Sequence, residues 1–154
     1  MRAQLPFLTV ILALFAPFCM HSRAPGDPVE HVGGTVAGLP RASGLMDLTG
    51  RDALRFRTGR SGLDIPYEDI NVVEYGQKVN RRYLEAVVIS PLFLLAKKRQ
   101  HFVTIGFTDA EGRQQAVVFR VNKDHIRAVL VGLEAKTGRK VQFQDPEARK
   151  AGKN

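Results

Sequence analysis

The residues best placed to act on something outside the chain lie between positions 78 and 100. Lys78, Arg81 and Arg82 precede a run, residues 86–96, that is apolar except for Ser90; Lys97, Lys98 and Arg99 follow it. Six basic residues stand against one acid, Glu85, so the window carries +5. The whole chain carries +8, and without its first 24 residues it has 21 basic and 15 acidic residues, a net +6. Nearly all of the excess charge therefore sits in one window. Such a basic–apolar–basic order has the chemistry of an interfacial element. The cations meet anionic head groups at ~1 kcal/mol each, and Leu92, Phe93, Leu94 and Leu95 enter the surface. Eleven residues in a helix span only ~16 Å, too short to cross a bilayer. The same run also suits a core strand bent at Pro91 with basic gatekeepers, or a protein-binding edge. The pattern leaves these readings open.

Other chemistry is thinner. His101 and His125 stand apart, without partners at metal-ligand spacing. His125 falls near a helix start, where a surface or capping role is usual. Glu68-Asp69 and Asp109/Glu111 sit in turn-like sequence, where acids are expected anyway. There is no Gly-x-Ser-x-Gly motif and no phosphate-binding glycine loop. Nucleic acid is the obvious partner for a basic chain, but the basic stretch has no interleaved exposed aromatics to stack on bases. The reading is a non-catalytic module with no cofactor and no metal. Its partner is an anionic membrane surface or another envelope protein.

The start of the chain bears on compartment. Arg2 precedes an apolar run over residues 5–18, the length of a signal-peptide core and shorter than a membrane span. Cleavage after Ala24 fits Ser22 two positions earlier, although Pro25 directly after the cut is unfavourable. A retained anchor and lipidation at Cys19 are the alternatives. Cys19 is the only cysteine, so residues 25–154 hold no disulfide or thiolate metal site. Export without disulfides points to a bacterial periplasm or cell envelope, with the protein either free there or associated with the membrane.

The remaining sequence supplies the scaffold. Residues 25–44 are rich in Gly and Pro and read as a flexible arm, with 31–36 extended against the domain. Residues 45–48 are the first expected strand, followed by a turn at 49–52. Leu54-Arg55-Phe56-Arg57 and Leu63-Asp64-Ile65 alternate as half-buried strands, the second ended by Pro66. Residues 67–70 form a helical turn, and 72–75 are extended again. Val103, Ile105 and Phe107 share one face of a strand; Val117, Phe119 and Val121 share one face of the next. The short turn at 109–112 makes that pair antiparallel. Ile126, Val129, Leu130 and Leu133 then fall at i, i+3, i+4 and i+7 of a helix over 122–138. Asn122 is its expected cap, Asp124 suits the dipole, and Gly138 ends it. Val141 and Phe143 add a short extended contact, and 144–154 read as a charged tail.

Ala53-Leu54-Arg55-Phe56, Leu63-Asp64-Ile65-Pro66-Tyr67-Glu68-Asp69-Ile70 and Val73-Glu74-Tyr75 resemble the strand pattern of bacterial pleckstrin-homology-like and GRAM-like domains. The resemblance covers residues 45–143. It implies a mainly β fold: a seven-stranded bent antiparallel barrel or sheet, capped at one end by the C-terminal helix. It also implies a lipid- or protein-binding role. It carries over no phosphoinositide site, since that family's basic motif lies in the first hairpin and residues 49–52 hold only Arg51. The apolar run 86–96 departs from the family pattern.

Overall fold

A computed structural model describes residues 25–59, 61–77 and 100–153. In chain order it contains β1 (Asp27–Gly34), β2 (Ala42–Asp47), β3 (Ala53–Arg57), β4 (Gly62–Pro66) and a 3-10 turn (Tyr67–Asp69). These are followed by β5 (Ile70–Gly76), β6 (His101–Thr108), β7 (Gln114–Val121), α1 (Lys123–Thr137), β8 (Gln142–Phe143) and α2 (Pro146–Lys153). The strands form one sheet in the order β4-β3-β2-β1-β7-β6-β5-β8. The first seven pair antiparallel, and β8 joins β5 in parallel.

Alternation builds the sheet. In β3, Leu54 and Phe56 are buried while Arg55 and Arg57 are exposed. Arg57 forks onto the carboxylate of Asp64 on β4, and that bond lowers the Asp64 pKa. Glu30 and Arg120 face each other across β1 and β7 and form an ion pair. The sheet is strongly bent. Phe56 on β3 and Phe119 on β7 are three strand spacings apart, about 14 Å on a flat sheet. Their ring centroids are 5.0 Å apart. Both ends of the sheet therefore curl around one core, which contains Phe56, Ile65, Ile105, Phe119 and the four apolar residues of α1.

The helix follows the sequence closely. Ile126, Val129, Leu130 and Leu133 are its buried residues, and Gly138 closes it at φ 66°, donating its N–H to the Glu134 carbonyl. The Asn122 side chain makes no cap bond; its carbonyl instead accepts the N–H groups of His125 and Ile126. His125 Nδ1 lies 2.9 Å from the Asp27 carboxylate, so it ties the start of α1 to the start of β1.

Four expectations need correction. The sheet has eight strands rather than seven, and it is mixed and open, with β4 and β8 at its edges. Residues 25–44 are not an arm: β1 lies inside the sheet between β2 and β7. Its glycines serve close packing, because a Cβ on Gly34 would lie 2.4 Å from the Ala116 carbonyl oxygen. The first hairpin is thus β1–β2, not the one turned at 49–52. Finally, residues 146–153 are helical rather than a frayed tail, with Ala148 fully buried in the core. Asp145 accepts the Ala148 N–H at 2.6 Å, and Pro146 takes the first helical position, where its missing N–H costs nothing.

Candidate binding site

Strands β5 and β6 pair directly, ending at Gly76 opposite Phe102. The end of β5 and the start of β6 thus meet at one corner of the sheet, with residues 78–99 between them in sequence. The predicted contact residues Lys78, Arg81, Arg82, Leu92, Phe93, Leu94, Leu95, Lys97, Lys98 and Arg99 all lie outside the described residues. So does the leader, residues 1–24, with Cys19.

The corner is braced by a polar pair. Tyr75 Oη lies 2.5 Å from His101 Nδ1, and the two rings are stacked with centroids 5.9 Å apart. Burial pushes the Tyr75 hydroxyl up to about 12; Asp145 adds to this, and a hydrogen bond from Gln77 opposes it. Burial also lowers the His101 pKa, helped by the nearby charge of Lys123. Both groups are thus held neutral, and the hydroxyl and the ring nitrogen share one hydrogen bond whose donor is set by the imidazole tautomer. A tyrosine that keeps its proton is a poor base or nucleophile, so the pair acts as a strut. Beside it, Gln144 Nε2 donates to the buried Glu74 carboxylate at 2.9 Å. The Gln144 N–H is bonded to the Tyr75 carbonyl at 3.1 Å.

A cleft of about 1020 Å³ opens next to this corner, between α1 and the β8–α2 segment. Leu130, Val141 and Phe143 line it, with Arg127, Lys140 and Arg149 among its polar residues. Phe143 links the cleft to the corner, its ring packed edge-on against Tyr75 at 6.0 Å.

The opposite face of the sheet is mixed. Phe102 and Val118 alternate with core residues of β6 and β7, so they point away from the α1 side, beside Thr104 and the Glu30–Arg120 ion pair; Val32 lies at the register shift of β1, outside the core cluster. Val32, Phe102 and Val118 are nevertheless buried.

Sequence reasoning missed Tyr75, Glu74 and Gln144. Tyr75 and His101 flank the basic window, and pairing the strands on either side of it would have brought them together. Among the described residues, no group of three or more His, Cys, Asp or Glu is placed to hold a metal ion. Among them, too, no helix is long and apolar enough to cross a membrane. The chain matches no family model and no curated protein.

Proposed function

We propose that the protein is a non-catalytic, exported binding module of pleckstrin-homology-like type. It associates with an anionic membrane surface, or with an envelope partner, through residues 78–100. The observation that carries this reading is the pairing of Gly76 with Phe102. In sequence the two basic clusters, Lys78/Arg81/Arg82 and Lys97/Lys98/Arg99, lie between these two paired residues. Seven antiparallel strands followed by a helix support the family likeness.

β6 is flanked by β5 and β7, and β5 by β6 and, at Glu74 and Tyr75, by β8. Replacing Lys97, Lys98 and Arg99 with Gln should weaken binding to anionic vesicles by ~3 kcal/mol, about one per charge. Leu94→Asp should remove the salt-resistant remainder while thermal unfolding stays cooperative.

A second reading draws on Phe102 and Val118, buried on the outer face. Residues 86–96 laid across that face would make the segment a layer of the fold, and the protein an envelope scaffold. The same variants separate the two readings. As a layer, the segment tolerates charge removal, and Leu94→Asp unfolds the domain by burying a charge.

A further inference from the structure

We propose that the cleft between α1 and α2 binds a single-chain anionic amphiphile, an alkyl or acyl chain ending in an acidic head group. Its volume, about 1020 Å³, is at the upper end of the range for small-molecule sites. The floor is apolar: Leu130 and Val141 are buried, and Phe143 is half-buried. On the wall, Val131 is 58% exposed, the one large hydrophobic side chain so exposed among the described residues.

The rim supplies the charge complementarity. Arg127, Lys140 and Arg149 are exposed, and among the described residues none of their head groups has an ion-pair partner. The two acids of the cleft are engaged with backbone. Glu134 accepts the Val141 N–H at 2.8 Å, and Asp145 accepts the Ala148 N–H at 2.6 Å. Three cations and two carboxylates thus surround an apolar floor, a net of +1 that favours an acidic head group over a cationic one. An extended peptide fits less well, because β8 already pairs with β5 at Glu74 and Tyr75 and takes the strand edge there.

None of the described residues lining this cleft belongs to the segment 78–100. Dodecyl phosphate, below its micelle threshold, is titrated into the full chain and followed by calorimetry and by amide NMR shifts. The expected result is saturable binding, with shifts centred on Val131, Val141, Phe143 and Gly152. The combined Arg127→Gln, Lys140→Gln and Arg149→Gln variant should weaken binding about tenfold. Val131→Asp should do the same, and Arg149→Gln alone should have a smaller effect in the same direction. Arg51→Gln, an exposed cation outside the cleft, should leave the affinity unchanged. The proposal is overturned if dodecyl phosphate does not saturate, or if the shifts fall elsewhere. It is also overturned if inorganic phosphate or dodecyl maltoside binds as tightly, since the site would then need only one half of the ligand. An acidic peptide that outcompetes dodecyl phosphate at the same residues overturns it in favour of a peptide site.

Discussion

The Tyr75 hydroxyl and His101 Nδ1 are hydrogen-bonded at 2.5 Å, joining the end of β5 to the start of β6. Burial of these two groups makes stability depend on pH at both extremes. Tyr75 has its pKa raised from 10.0 to about 12, so the fold favours the protonated phenol. Its contribution is complete below pH ~10 and is lost as pH rises towards 12, up to roughly 2–3 kcal/mol. His101 has its pKa lowered from 6.5, so the fold favours the neutral ring. Its contribution is complete above pH ~6.5 and is lost as pH falls through the depressed value. Urea unfolding across pH should show both losses. Tyr75→Phe should remove the alkaline one and cost about 0.5–1.5 kcal/mol at neutral pH.

Gly34→Ala tests whether the glycine-rich start belongs to the fold. The added Cβ meets the Ala116 carbonyl oxygen at 2.4 Å, so a strand shift is required. The expected loss is about 1–3 kcal/mol in urea unfolding. A flexible arm would show no change.

Leu130→Ala tests the docking of α1. Leu130 is buried in the core cluster, and its truncation should cost ~2–5 kcal/mol. A loss below ~1 kcal/mol would mean that the helix does not carry the core.

Asp145→Ala removes the side chain that caps α2 through the Ala148 N–H. The expected cost is about 0.5–2 kcal/mol. Hydrogen exchange should quicken over Pro146–Lys153 first, because that helix is short and held by few neighbours.

Which parts of this fold were legible follows from how each is held. β3, β4, β6, β7 and α1 carry their own periodicity, since each is covered on a defined face; Leu54/Phe56 and Ile126/Leu130 show it directly. β1 does not, because a strand that passes close to its neighbours uses glycines that read as linker. Asp145-Pro146 is a start signal that its charged surroundings masked. The Tyr75–His101 brace was hidden for a different reason. Its members are 26 residues apart, and only the pairing of β5 with β6 makes them neighbours.

The central claim is that residues 78–100 attach this scaffold to an anionic surface. Its most direct test is sedimentation of the wild-type protein with anionic and with neutral vesicles, at low and high salt. The account predicts co-sedimentation with anionic vesicles that weakens, without vanishing, as salt screens the exposed cations over ~10 Å or less. Equal recovery in the supernatant with both vesicle types at low salt would contradict it.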